Sequence, residues 1–395
     1  MKAEPAPPSP VRKEFLVFGS PALDEAEIQE VVATLRSGWI GTGPRVARFE
    51  REFAQYAGVP HALALNSCTA AMHLSLLAAE IGPGDEVITV PFTFAATANS
   101  IIHTGATPVF VDVEEGSQNI DPSRIERAIT PRTRAILPVH FAGRPCDMDA
   151  ILGLAARHGL RVIQDAAHAS ETTWKGRHVG SLGDAACFSF YVTKNVVTGE
   201  GGMVTTPHAA WAETIQMYGL HGLSKGAWKR YSDEGFVHYQ VLFPGYKYNM
   251  TDMAAALGIH QLARVESNAA IRRRIWDRYD RAFADLPCTI PAPEEAGSRH
   301  ARHLYTLMLD TGRLGVTRDR VVEELKGEGI GTGIHFISLH LHPWYRDRFH
   351  FAPDDFPVSR RLSERTISLP LSARLTDQDV EDVIAAVRRV LLRHA

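Results

Sequence analysis

Three stretches read strand, helix, strand in close succession: residues 86–90, 94–103 with Gly105 ending the helix, and 108–113. A helix between two strands cannot be a hairpin, so the unit implies parallel pairing. The theme returns at 134–140, and again where a helix over 148–158 feeds a strand at 160–164 that ends in Asp165. The expected class is therefore α/β with a mostly parallel sheet. Ligands of open α/β sheets bind beyond the carboxyl ends of the strands, which puts the Asp165 carboxylate at the ligand edge.

Local signals extend this frame. Asp24 and Glu27 make a capping-box pattern, after which Ile28, Val31, Val32 and Leu35 form one apolar helix face and Gly38 ends the helix. The glycine-rich run from Trp39 to Pro44 lacks both the lysine of a P-loop and the spacing of a dinucleotide fingerprint, so it reads as a substrate-side loop. Val46, Phe49, Phe53 and Tyr56 predict a second helix, followed by a strand at 62–65 and then Asn66-Ser-Cys-Thr-Ala-Ala-Met72. Strand, small polar residues and helix together form a place for an anion at a helix N-terminus, although Ser-Cys-Thr also serves as an ordinary cap.

Beyond Thr251 a helix of small residues continues towards Leu286, with Ile271, Ile275, Tyr279 and Phe283 spaced by four. The remainder predicts a smaller α+β lobe: a strand at 305–309, a helix capped by Thr317, a strand at 334–337, and a last helix capped by Thr376 and Asp379. Expected organisation is a disordered leader over 1–13, a large α/β domain over 14–265 and a small domain over 266–395. Residues 218–239 are polar and glycine-punctuated, and are expected to form a mobile loop.

With 395 residues and 45% hydrophobic content, the chain can bury one large core and a smaller one. A formal net charge of −3 gives no basic surplus for nucleic acid, and no apolar run approaches the roughly 20 residues that cross a bilayer. Four prolines in the first ten residues, without an apolar h-region, argue against a signal peptide and for the cytoplasm. Cysteines 68, 146, 187 and 288 are far apart and point to reduced thiols. The histidines, of which His340 and His342 are the closest pair, lack a completed ligand pattern, so no metal is expected.

Chemistry concentrates between Phe188 and Gly202, where Lys194 has no charged residue within five positions on either side. Desolvation of such a lysine lowers its pKa and frees a nucleophilic amine, the kind that forms Schiff bases with carbonyls. Paired with Asp165, it suggests pyridoxal phosphate, whose ring nitrogen needs a carboxylate and whose aldehyde needs a lysine. Ser189, five residues before the lysine, is placed to bind the cofactor phosphate, and His168 follows Asp165 closely. In the C-terminal lobe, His335, Trp344 and Arg346 suit a sugar diphosphate, with Arg346 on the pyrophosphate.

Gln-Asp-Ala-Ala-His-Ala at 164–169, Phe-Ser-Phe-x-x-x-Lys-Asn at 188–195 and Gly-Glu-Gly-Gly at 199–202 resemble the DegT/StrS sugar-nucleotide aminotransferases, from about Phe18 to the C-terminus. The resemblance implies the fold-type I architecture, pyridoxal phosphate with a pyridoxamine phosphate form, and a nucleotide-linked ketosugar aminated from glutamate. It adds Thr69 and Ala70 as phosphate contacts, Phe94 as the aromatic stacked on the pyridine ring, and Trp39 and His335 as substrate contacts, with His168 counted in the catalytic and cofactor set. It also implies a homodimer with shared sites, in which Lys247 reaches the partner's cofactor phosphate. Many members read Gly-Tyr-Asn-Tyr-Arg where this chain has Gly-Tyr-Lys-Tyr-Asn, so Lys247 and Asn249 are both named there.

The resemblance favours carbon 4 of the sugar over carbon 3 or a keto-cyclitol. A sugar dehydratase of the same family would carry histidine in place of Lys194. A cofactor-binding transcription regulator would need a DNA-binding module for which the chain has no room.

Overall fold

Seven strands build the central sheet of the computed structural model, which describes residues 10–224 and 239–395. In chain order the large lobe contains β1 (His61–Leu65), β2 (Glu86–Thr89), β3 (Thr107–Phe110), β4 (Thr133–Ile136), β5 (Arg161–Asp165), a short hairpin of β6 (Thr173–Trp174) and β7 (Arg177–His178), then β8 (Ala185–Ser189) and β9 (Gly202–Thr206). The sheet order is β1-β9-β8-β5-β4-β2-β3. Every neighbouring pair is parallel except those made by β9, which runs antiparallel to both β8 and β1. The carboxyl ends of β1, β2, β5 and β8 therefore share one edge with the amino end of β9.

Helices cover both faces, and their starts follow from capping. Helix α1 (Glu25–Ser37) has the full Asp24–Glu27 capping box, and α3 (Cys68–Ala78) begins where the Ser67 hydroxyl accepts from the Ala70 N–H at 3.1 Å. Helix α2 (Pro44–Ala57) has only Gly43 before it, so its first turn is capped from a distance: buried Asp252 accepts from the N–H groups of Arg45 (3.1 Å) and Val46 (2.9 Å). Helix α4 (Ala95–His103) follows Phe94. Phe49 and Phe53 of α2 pack on Phe188 and Phe190, edge to face or tilted, at 5.0 to 6.2 Å between ring centroids.

The smaller lobe folds around a three-stranded antiparallel sheet, β10 (Cys288–Thr289), β11 (Tyr305–Leu309) and β12 (Thr366–Leu369). Tyr279, Phe283, Leu307, Val383 and Val387 fill its core. The end of the expected leader and the residues just after it are anchored here: Val11 N–H donates to Glu328 at 3.0 Å, Arg12 pairs with Asp379 and Asp382, and Leu16, beyond the leader, bridges to Ile330. Residues 1–9, and 225–238 within the expected mobile loop, lie outside the described residues. Among the described residues no helix is long and apolar enough to cross a membrane.

Three expectations are corrected. The helix beyond Thr251 is two helices, Asp252–Ala263 and Val265–Phe283, because Arg264 leaves helical geometry (φ −104°, ψ 3°) and turns its guanidinium to Asp24 and Glu27. No strand forms at 334–337; only Gly333 bridges to Ser368, after which Phe336 turns over His168 and Phe92. The apolar face of α1 is not buried as a unit: Ile28 is 51% and Leu35 55% exposed and Val31 and Val32 are half-buried, while Glu27 and Thr34 are fully buried.

Glu27 explains the orientation of α1. Its carboxylate accepts from the Asp24 N–H (3.1 Å), from Gln261 Nε2 (2.7 Å) and from Arg264, so turning the apolar face inwards would strand those donors. Replacing Glu27 with alanine removes the capping box and the buried carboxylate shared by Gln261 and Arg264, leaving Gln261 only the Ala22 carbonyl and Arg264 only that carbonyl and Asp24. We expect a loss of about 2–3 kcal/mol in urea unfolding. A loss under about 0.5 kcal/mol, the range of an ordinary surface substitution, would contradict this account.

Candidate active site

Asp165 ends β5 with its carboxylate almost fully buried, accepting from Thr97 Oγ1 at 2.7 Å and from the Ala167 N–H at 3.0 Å. Burial pushes its pKa up, while the Thr97 and Ala167 bonds and the charge of Lys194 pull the other way. Thr97 is the third residue of α4, so the same bond fixes the first turn of that helix and hence Phe94, which is exposed.

Lys194 lies in the bend between β8 and β9, its N–H bonded to the Tyr191 carbonyl at 2.8 Å. Desolvation lowers its amine from 10.5 to about 8, with Asp165 and then Cys68 resisting the shift. The amine is therefore largely protonated below that pH and free above it. Three imidazoles sense its charge: His168, His303 and His335 are all held neutral, by burial first and then by Lys194. For His335 the pKa falls to about 4.

The anion cup lies at the same sheet edge. Cys68 Sγ donates to the Cys187 carbonyl at 3.3 Å, which seats the first turn of α3 against β8, where Ser189 is the last residue. The N–H groups of Cys68 and Thr69 are first-turn donors with no helical acceptor, and the helix dipole favours negative charge at that place. The Ala70 N–H, by contrast, is already taken by the Ser67 cap. Gly202 allows the closeness: a Cβ there would lie 2.4 Å from the Ser67 carbonyl carbon.

His168 is nearly buried, and its Nδ1 accepts from the Ala142 N–H at 3.2 Å, so its proton sits on Nε2. Phe336 stacks on it at 6.0 Å, and Phe94 lies 6.2 Å from Phe336. His335 Nδ1 bonds Ser368 Oγ at 2.8 Å. The structure thus gathers Lys194, Asp165, His168 and His335 into one electrostatic neighbourhood.

Other expected residues are engaged elsewhere. Asn249 Nδ2 donates to Thr42 Oγ1 at 2.6 Å, and the Trp39 indole N–H donates to the Thr42 carbonyl at 2.9 Å, so both hold the 39–44 loop. Arg346 pairs with the adjacent Asp347 at 2.8 Å on the Pro343–Phe349 helix. Lys247 is exposed, and its carbonyl accepts from Asn66 beside the cup.

Sequence reasoning passed over Thr97, Asn195, Glu171, Arg272 and His303. Arg272 and Glu171 form a buried ion pair, and Glu171 also accepts from Asn195 Nδ2 at 2.9 Å, which steadies the residue next to Lys194. Arg272 stands in a run of three arginines that carries no local sign of burial, because its acceptor lies 101 positions away. Asn195 was visible inside the lysine motif, but its role was not.

The family model of the DegT/DnrJ/EryC1/StrS aminotransferases matches residues 21–388. The chain belongs to this family. The Bacillus subtilis spore coat polysaccharide biosynthesis protein SpsC is 53% identical over 381 residues, covering 96% of this chain and 98% of that one. Spr1654 of Streptococcus pneumoniae, a candidate sugar aminotransferase solved in its PMP form, superposes with TM-score 0.90 at 35% identity, covering 96% of this chain and 100% of that one. It has also been solved in a PLP form. DesI, solved in the presence of its TDP-sugar product, gives TM-score 0.85 at 34% identity, covering 98% of this chain and 95% of that one. The superpositions on Spr1654 and DesI extend over both lobes of this chain.

The residues present fit pyridoxal phosphate. A buried carboxylate, a desolvated lysine and an anion cup at a helix N-terminus stand at one sheet edge, and the exposed Phe94 offers a ring face. The lowered basicity of Lys194 is testable in cofactor-free protein. Its reaction with an amine-selective acylating reagent, followed by peptide mass, should rise through a midpoint near pH 8. A midpoint near the ordinary 10.5 would show that the amine is not desolvated.

Proposed function

We propose that this aminotransferase moves an amino group from glutamate to a keto carbon, carbon 4, of a nucleotide-linked deoxysugar. The observation that carries the reading is the desolvated Lys194 amine set at the same sheet edge as the buried Asp165 carboxylate. The relatives support the choice of substrate class: DesI was solved with its TDP-sugar product, and SpsC is named for polysaccharide biosynthesis. Lys194 itself favours amino transfer over sugar dehydration, because it stands where a dehydratase would carry histidine.

Pyridoxal phosphate, when bound, supplies the electron sink that lets a carbon-bound proton leave. The chain's residues do the rest. Asp165 holds a proton at the ring nitrogen, and Thr97 and the Ala167 N–H keep that carboxylate aimed. The first turn of α3, with Ser189, binds the phosphate through Thr69 and its neighbours. His168 presents its Nε2–H to the site. Lys194, with a pKa of about 8, is basic enough to take the substrate proton and acidic enough to return it near neutral pH. His335 and Arg346 contact the sugar and its pyrophosphate, the latter after releasing Asp347, and Trp39 borders the sugar.

Incubating the loaded enzyme and glutamate with thymidine- and uridine-linked 3- and 4-ketosugars should give a 4-amino product. Amination of 3-ketosugars alone would overturn the regiochemistry, and turnover of none would overturn the substrate class.

The site is shared by two subunits in this reading, with Lys247 reaching the partner's cofactor phosphate. The exposed Ile28 and Leu35 of α1 and the exposed Lys247 leave surface for a second subunit in that arrangement. Lys194→Ala and Lys247→Ala chains, each nearly inactive, should regain activity when mixed and reassembled. One heterodimer site then carries both lesions and the other neither, so about a quarter of all sites are intact. A mixture as inactive as its parents, with subunit exchange confirmed by mass, would confine Lys247 to its own chain.

A further inference from the structure

Asn195 makes three contacts that together fix a proton 108 positions away. Its Nδ2 donates to Glu171 Oε2 at 2.9 Å and to the Ala301 carbonyl at 3.0 Å. Both partners only accept, since the Glu171 carboxylate is also paired with Arg272. The amide cannot be reversed without setting its oxygen against two acceptors. Its Oδ1 therefore faces His303 Nδ1 at 3.1 Å, and that contact is a hydrogen bond only if Nδ1 carries the proton.

His303 is 5% exposed, and a buried imidazole with no acid in contact stays neutral. One proton on Nδ1 then leaves Nε2 with a bare lone pair. That nitrogen has no hydrogen-bond partner among the described residues. The backbone holds the ring in place: the His303 N–H donates to the Ala142 carbonyl at 3.0 Å, and Ala142 donates in turn to His168. The His168 and His303 rings lie 4.5 Å apart, beside the Lys194 bend. The two imidazoles thus have opposite tautomers, His168 offering a donor at Nε2 and His303 an acceptor.

We infer that His303 Nε2 is a substrate-reading acceptor, taking a hydrogen bond from a hydroxyl of the ketosugar, and that Asn195 is the positioning residue that sets its tautomer. A hydroxyl is the fitting donor, because a substrate lacking it would leave the lone pair desolvated and unpaired. The sugar half of this inference rests on the proposed function. The tautomer half does not.

The two halves are tested separately. In cofactor-loaded protein labelled with ¹⁵N-histidine, long-range ¹H–¹⁵N correlation should show a protonated Nδ1 and a bare Nε2 for His303, assigned by the signals lost in His303→Gln. Asn195→Ala should mix the tautomers. A proton on Nε2 in the parent would overturn the inference. In kinetics, His303→Asn keeps a side chain able to bond Asn195 but removes the atom that reaches the site. It should raise KM for the ketosugar on the order of tenfold, more than it changes KM for the amino donor. His303→Gln, with an amide oxygen near the Nε2 position, should recover part of that loss. An unaltered ketosugar KM in His303→Asn would refute the acceptor role. If no ketosugar is turned over by the parent, the substrate reading fails, and the tautomer measurement alone decides whether His303 is an acceptor.

Discussion

Placing an amine, a carboxylate and three imidazoles in one poorly solvated neighbourhood is the constraint on which this site depends. Water would let each group ionise on its own; burial makes their charges interdependent. The amine falls towards neutrality, the carboxyl rises, and the histidines stay uncharged. The result is an interior with little fixed charge that can accept a cationic ring nitrogen beside Asp165 and an anionic phosphate at α3. Hydrogen bonds temper the balance: burial raises Asp165, and the bonds from Thr97 and Ala167 pull it back in part.

The fold makes that neighbourhood possible by bringing strand ends together. Asp165, Ser189 and the Ser67 cap belong to β5, β8 and the β1–α3 junction, three places far apart in sequence and on one edge of the sheet. The antiparallel β9 lets the chain return immediately after Lys194, and Gly202 lets that return pass close to the cup. The buried Arg272–Glu171 pair then joins the helix leading to the small lobe to Asn195. Breaking such a pair from one side leaves an uncompensated buried charge, so the alignment of lobe and lysine bend is held strongly.

What could be read from the sequence was what is local. Lys194 without charged neighbours, Asp165 at a strand end, and the caps at Asp24, Ser67 and Thr376 all signal within a few residues, and each stands in the structure as the sequence implied. What could not be read depends on distant partners. Periodicity shows that α1 is amphipathic but not which side faces in; that is decided by Gln261 and Arg264, more than 230 positions from Glu27. His303 carries no local mark either, since its meaning comes from Asn195 and Ala142. The 334–337 segment has the apolar content of a strand, but the pull of Phe336 towards His168 prevails after a single bridge.

The most direct test of the account asks which atom holds the cofactor. Borohydride reduction of the pyridoxal phosphate-loaded protein, followed by digestion and peptide mass, should place the reduced cofactor on Lys194 alone. Attachment to any other lysine, or a fully loaded protein that borohydride leaves unlabelled, would contradict the central claim.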